Sequence, residues 1–419
     1  MHAPEDSTPG SLARLVAVAR GLSGIVDPEK LLNAIIDGVI QVAGADRGAV
    51  VLGTEAEGFK IRAVRTSRGV ELDPSRISLS NSVVADVVRT GRAVVLDDAS
   101  GAEGYRERQS IIALNLRTII CAPLTAKAGP IGVLYVDGNL VTKRFTTEDL
   151  ELTEAFAAIA AMALESVRMH QVDLERARIS HELELAAEIQ RSFLPSRYMK
   201  VSGYAGAALT RPAGRIGGDL YDWLELGDGR LVVTIGDVSG KGVPAALGMA
   251  RVVSSMRSRA ARAAGPADLL EPLNRAIVTT TEPAGFLTVA MAVVEPGSPM
   301  VEVFACGHPP PLHRRGEQLS DVPVQPSPPL GVVDRVEPVS ATVEMLPGDR
   351  LVFYTDGALD ACDAGGEEFG YERLCAAVAS APEHYADAVQ AIADQVEAFA
   401  RAGRRRDDLT LVCLDRRPE

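Results

Sequence analysis

From Glu148 to Phe193 the chain has neither proline nor glycine, although it carries 38 glycines and 25 prolines among 419 residues. So long a run without a breaker predicts one continuous helix, longer than a single globular core needs. Leu194-Pro195 ends it, because proline disfavours helical backbone at the residue before it. Phe156, Ala160, Ala163, Val167 and Leu174 fit one heptad frame, and Ile179, Leu183, Ala186 and Phe193 fit a second, out of register. Such a break locally alters supercoil winding. The expectation is a helical linker over 148–195, a coiled coil pairing two copies of the chain. A helix that simply packs on both of its neighbours is the alternative.

The parts on either side of this helix differ. Residues 1–10 read as a flexible tail. In 11–42, apolar residues recur at helical spacing, with Asp27-Pro28 as an N-cap and first-turn proline between two helices. Short β-branched runs follow at 49–52, 59–64, 93–96, 117–123 and 131–137, with a helix over 82–89. This is the pattern of an α/β domain over 11–150. Beyond 196, short strands, glycine and proline turns and a few helices continue to residue 417.

Composition excludes several classes. The formal net charge is −13, which argues against a nucleic-acid or anionic-lipid binder. Five scattered cysteines without a CxxC pair exclude a disulfide framework or thiolate zinc site. The acidic, proline-containing start is unlike a signal peptide. The longest fully apolar run, Ala155 to Leu164, falls short of the roughly 20 residues that cross a bilayer. A cytoplasmic protein is expected.

Four acidic motifs stand out in the C-terminal part: Gly217-Gly218-Asp219, Gly236-Asp237-Val238-Ser239-Gly240-Lys241-Gly242, Tyr354-Thr355-Asp356-Gly357 and Asp407-Asp408-Leu409-Thr410. Three of them sit at the end of an apolar, strand-like run. Carboxylates at strand ends converge at one rim of a sheet, where they repel each other. Hard divalent cations such as Mg²⁺ or Mn²⁺ neutralise such a cluster. Two such ions can activate a water toward a phosphorus atom. The alternative, that each Asp-Gly pair is only a turn, weakens as the motifs accumulate. Two look-alikes fail. A phosphate-binding loop needs G-x-x-x-x-G-K-[ST], but Ile235 stands at its first glycine and Gly242 at its hydroxyl residue. Gly217-Gly218-Asp219-Leu220-Tyr221 resembles the cyclase signature GGDEF, but Leu220 replaces the needed acid.

In order, these motifs resemble stage II sporulation protein E-type phosphatases of the metal-dependent protein phosphatase (PPM) superfamily. Ala187-Glu188-Ile189-Gln190, Arg211-Pro212-Ala213, Phe286-Leu287-Thr288, Gly307-His308-Pro309-Pro310 and Pro347-Gly348-Asp349 belong to the same ordered set. The resemblance implies an α-β-β-α sandwich over 196–417 holding two Mn²⁺ or Mg²⁺ ions at one end. It implies Asp237 as the carboxylate bridging both ions and the Val238 carbonyl as a ligand of one. It implies Asp356 and Asp407 as ligands on the other side, and Asp219 as a ligand of the second ion, directly or through water. Asp408 is expected to support the ligands, and Asp222 to be a surface or structural acid. Ala305-Cys306 stand where relatives often have Asn-Ala. His308 is expected to pack a loop, with a leaving-group acid as the alternative. Lys241 is either a working cation or a helix cap.

The N-terminal domain resembles a GAF sensor through Cys121-Ala122-Pro123-Leu124, Gly132-Val133-Leu134-Tyr135-Val136 and Phe145-Thr146-Thr147-Glu148-Asp149-Leu150. Ala122 after Cys121, where bilin carriers have His, argues against covalent bilin attachment. Together the resemblances imply a multidomain α+β chain: a GAF-regulated protein serine/threonine phosphatase of bacterial signalling. Its implied substrate is a phosphorylated partner, an anti-anti-sigma factor; its GAF domain would receive an unknown small-molecule or protein signal, and the chain would act as a homodimer. The rival is a catalytically silent switch that binds a phosphoprotein without turnover.

Overall fold

In a computed structural model, the described residues are 11–54, 58–74, 79, 81–96, 118–127, 129–138, 144–279, 285–400 and 407–418. The expected tail 1–10 and Arg117 lie outside them. The chain divides into two compact units, Met1–Arg178 and Ile179–Glu419.

The first unit opens with α1 (Ser11–Leu22) and α2 (Pro28–Ala43). The Asp27 carboxylate accepts from the backbone N–H of Glu29 and Lys30, the cap read from the sequence. Five antiparallel strands follow in the spatial order β2-β1-β5-β4-β3: β1 Arg47–Thr54, β2 Gly58–Thr66, β3 Val94–Leu96, β4 Thr118–Ala126 and β5 Gly129–Gly138. Both faces of this sheet are covered. Leu31, Ile35, Ile36 and Val39 of α2 pack with Val50, Ile120, Leu134 and Val136 on one face. Val83, Val84 and Val87 of α3 (Asn81–Thr90) pack with Val51, Ile119, Cys121 and Tyr135 on the other. Cys121 is thus a core residue, and burial pushes its thiol far up.

Helix α4 (Thr147–Phe193) is the continuous helix predicted. Its expected heptad frames are spent differently. Phe156, Ala160 and Val167 are buried in the first unit's own core, so they are not an open seam. Leu183 and Ala186 pack beside Ala187, Ile216 and Ala246 in the second unit. Of the two frames, Leu174 and Ile179 stay exposed, together with Met162, Met169, Val172, Leu185 and Ile189. No described helix is long and apolar enough to cross a membrane.

The second unit is two packed antiparallel sheets between helix layers. One sheet has the order β14-β11-β10-β9-β8, with β8 Asp219–Glu225, β9 Leu231–Val238, β10 Leu287–Val294, β11 Met300–Cys306 and β14 Ala341–Glu344. The other is β13-β12-β15-β16-β7-β6, with β6 Tyr198–Val201, β7 Tyr204–Arg211, β12 Leu312–Arg315, β13 Gln318–Asp321, β15 Arg350–Tyr354 and β16 Leu409–Arg416. Their inner faces meet through Val233, Ile235, Ala290, Ala292, Phe353 and Val412. Aromatics are only 4% of the sequence, so the core between the sheets is mainly aliphatic. Met249, Val253 and Met256 of α5 (Val243–Ala260), with Leu269 and Leu273 of α6 (Pro266–Val278), cover the first sheet. Leu374 of α7 (Gly370–Ala379) and Val389, Ile392 and Val396 of α8 (Tyr385–Ala400) cover the second.

Phe156 is fully buried, and truncating such a ring leaves a cavity as well as lost burial. Phe156→Ala is expected to lower the stability of the first unit by about 3–5 kcal/mol, read as an earlier denaturant midpoint with the second unit's transition unmoved.

Candidate metal centre

Strand register brings the acidic motifs together. In the β8–β9 ladder, Asp219 stands directly opposite Asp237, so both side chains lie on one face at one end of their sheet. Asp356 follows β15 after Thr355, and Asp407 precedes β16 with Asp408 between, the two strands being neighbours in the other sheet. Two contacts tie the sheets at this end. Thr355 Oγ1 donates to Asp219 Oδ2 at 2.9 Å, and the Gly218 N–H donates to Asp408 Oδ2 at 2.7 Å. Asp408 also accepts from Ala213 N–H at 2.8 Å. It therefore fixes the 213–218 loop, the supporting role expected of it.

These carboxylates are uncomfortable as anions. Asp219 is 5% exposed; burial first, and then the charge of Asp237, raises its pKa well above the usual carboxylate range. Asp237 is pushed up to about 7 by burial and by Asp356, Asp407 and Asp408. Asp356 is raised by burial and by Asp407. The ammonium of Lys241 lies 3.0 Å from Asp407 Oδ2, which makes it a charge partner at the rim.

The donor chemistry fits a hard divalent cation. Glycine keeps the place open: a Cβ on Gly218 would stand 2.6 Å from the Val238 carbonyl oxygen and 3.0 Å from Asp237 Oδ1, the two expected ligands. A Cβ on Gly357 would collide with the backbone of Asp408. Among the described residues, no three His, Cys, Asp or Glu side chains are already grouped to hold an ion. The contacts above give the reason: Asp407 is turned to Lys241, Asp219 to Thr355 and Asp408 to backbone N–H groups.

Other expected residues are placed as follows. Of the two expectations for Asp222, a surface or a structural acid, the structure supports the second: its side chain is 1% exposed and paired with Arg257 at 2.7 Å. His308 is 7% exposed, its Nδ1 lies 2.9 Å from Thr288 Oγ1, and burial lowers its pKa to about 4. It is therefore neutral at neutral pH and poorly suited to donate a proton. Three residues escaped the sequence reading as contact makers. Gln190 clamps Gly217 from both sides: its Nε2 donates to Gly217 O at 2.6 Å, and its Oε1 accepts from Gly217 N–H at 3.2 Å. Arg215 Nη1 reaches Glu184 Oε1 at 2.5 Å, and its Nη2 donates to Ser180 Oγ at 2.7 Å. Thr355 links the sheets. Gln190 and Thr355 lay inside the quoted motifs, whereas a lone loop arginine carries no such signal.

Comparison with known proteins agrees with this architecture. Residues 227–417 match the Stage II sporulation protein E (SpoIIE) family, and residues 27–164 match the GAF domain family. The chain thus carries a GAF-like region followed by a SpoIIE-like region. Asp237, Asp356 and Asp407 lie within the SpoIIE match, and Asp219 precedes it. The chain is 25% identical over 263 residues to Protein IcfG of Synechocystis sp., covering 56% of this chain and 41% of that protein. It is 23% identical over 248 residues to Phosphoserine phosphatase RsbU of Bacillus subtilis, covering 57% and 71%. It thus spans less than half of IcfG. The fold is shared with the SiaA-PP2C domain of Pseudomonas aeruginosa, at a TM-score of 0.50 and 20% identity, over 57% of this chain and 98% of that one.

The raised carboxylates set a pH dependence. In the unfolded chain Asp237 releases its proton near 3.8, but in the folded chain only near 7. The metal-free fold binds the extra proton, so its stability grows as pH falls from about 8 towards 5 and shrinks as pH rises through 7. Thermal melts in EDTA should show this slope, and Asp237→Asn should flatten it. An unchanged slope in the variant would show that Asp237 is not its source.

Proposed function

We propose that this chain is a Mn²⁺- or Mg²⁺-dependent protein serine/threonine phosphatase, regulated through its GAF domain, that hydrolyses phosphoserine or phosphothreonine on a separate partner protein in bacterial signalling. The observation that carries this reading is the placement of Asp219, Asp237, Asp356 and Asp407 at one end of the sandwich, where burial and neighbouring charge raise the pKa of Asp219, Asp237 and Asp356. Asp237 and the Val238 carbonyl would hold the ions from the first sheet, with Asp219 beside them, and Asp356 and Asp407 from the second. When bound, two such ions would neutralise the cluster and activate water for attack on phosphorus. The chain's own part is to give up the protons held at Asp219 and Asp237, to release Asp407 from Lys241, and to keep the approach over Gly218 clear.

No covalent phosphoenzyme is proposed. Burial pushes the thiols of Cys306 and Cys413 up to about 11 and about 12, which leaves no thiolate there at neutral pH. Similarity to a protein named a phosphoserine phosphatase supports the substrate class. The family resemblance points to an anti-anti-sigma factor as the partner, in the cytoplasm.

Full-length protein should hydrolyse p-nitrophenyl phosphate only with Mn²⁺ or Mg²⁺, and Asp356→Asn should lose at least about 100-fold in kcat. Metal-independent turnover, or full turnover in the variant, would contradict the reading. If the wild type folds and binds a phosphorylated partner but never turns it over, the silent-switch alternative holds.

The same proposal makes α4 a pairing element. Its exposed Met162, Met169, Val172 and Ile179 support that, since apolar side chains at heptad-like spacing on one face of a helix favour burial against a partner. Light scattering on the full chain should give a dimer; a monomer at micromolar concentration would remove pairing from the mechanism.

A further inference from the structure

Arg215 stands between two clefts. One, of about 690 Å³, is lined by Leu183, Gly214, Arg215, Lys241, Asp407 and Asp408 among others. The other, of about 350 Å³, is lined by Arg191, Arg211, Arg215, Asp219 and Asp408 among others. Four cations, Arg191, Arg211, Arg215 and Lys241, therefore border the ground beside the aspartate cluster, in a chain whose net charge is −13. Two of the four are held by carboxylates of the chain's helices: Arg211 by Asp394 and Glu397 of α8, and Arg215 by Glu184 of α4. Lys241 is held by Asp407 itself. Arg215 is 46% exposed and Glu184 58% exposed, so neither needs the other to offset burial.

We infer that Arg215 is a docking group for an acidic side chain flanking the phosphorylated residue of the protein substrate, and that Glu184 occupies it as an internal substitute for that acid. This rests on the phosphoprotein reading above and deepens it. Guanidinium geometry suits a carboxylate from either source, so substrate and Glu184 compete for one group. Arg215 lies two residues before Gly217, whose backbone Gln190 of the same helix grips, so the segment that presents Arg215 is itself positioned by α4. Ser180, which accepts from Arg215, is a third point of attachment. The last turns of α4 therefore set how available the docking arginine is.

The test is equilibrium binding of two fluorescein-labelled peptides that carry a non-hydrolysable phosphonate in place of phosphoserine, one with flanking aspartates and one with flanking alanines, to the full-length chain with Mn²⁺ present, where no turnover occurs. Glu184→Ala should tighten the acid-flanked peptide about threefold, the size an exposed ion pair permits. Arg215→Ala should weaken it by a similar factor. In the double variant the Glu184 effect should vanish. The alanine-flanked peptide should respond to none of these changes. The inference is overturned if Glu184→Ala acts equally on both peptides, or keeps its effect without Arg215. If wild type binds neither peptide, the phosphoprotein reading falls first and the docking role with it.

Discussion

The constraint on which the second unit depends is the repulsion among aspartates gathered at one end of two packed sheets. Asp219 and Asp237 face each other across one ladder, and Asp356, Asp407 and Asp408 arrive from the neighbouring sheet. Burial in the sandwich magnifies the cost of each charge. The surroundings answer that cost without removing it. Thr355, backbone N–H groups and Lys241 each take one oxygen, and protons remain on the most crowded acids. A fold that tolerates this much stored repulsion at one edge is one suited to a bound cation, just as perturbed carboxylates elsewhere mark working sites.

The rest of the unit keeps that edge in place. Aliphatic packing between the sheets is indifferent to charge and fixes the register that sets Asp219 against Asp237. Glycines at 218 and 357 are demanded by the close approach of the two sheets' ends, where any side chain would strike an expected ligand or the Asp408 backbone. The end of α4 then touches the same loop through Gln190, Arg215 and Ile216. Phe156 and Ala160, earlier in the same helix, belong to the first unit's core.

Much of this was legible in the sequence. The breaker-free run named α4, and Asp27-Pro28 its own helix start. Asp residues at strand ends predicted the cluster, because a strand's polarity tells which end a terminal residue occupies. What was not legible depended on partners far apart in the chain. Heptad matching assigned Phe156 and Val167 to an intermolecular seam, but an apolar helix stripe looks the same whether its partner is a second copy or its own sheet. Sequence alone leaves Asp222 between a surface and a structural acid because its partner Arg257 comes 35 positions later, on a different element. Arg215 is a single loop cation until the fold lays Glu184 and Ser180 beside it.

The central claim is that buried protons are exchanged for metal at the aspartate rim. The most direct measurement is calorimetric titration of Mn²⁺ into the full-length chain at pH 6.5, in two buffers of different ionisation enthalpy. Binding that releases about one proton or more per chain, falling as pH is raised above 8, and lost in Asp237→Asn, is the predicted result. Binding with no proton release, or release unchanged in Asp237→Asn, would contradict the account.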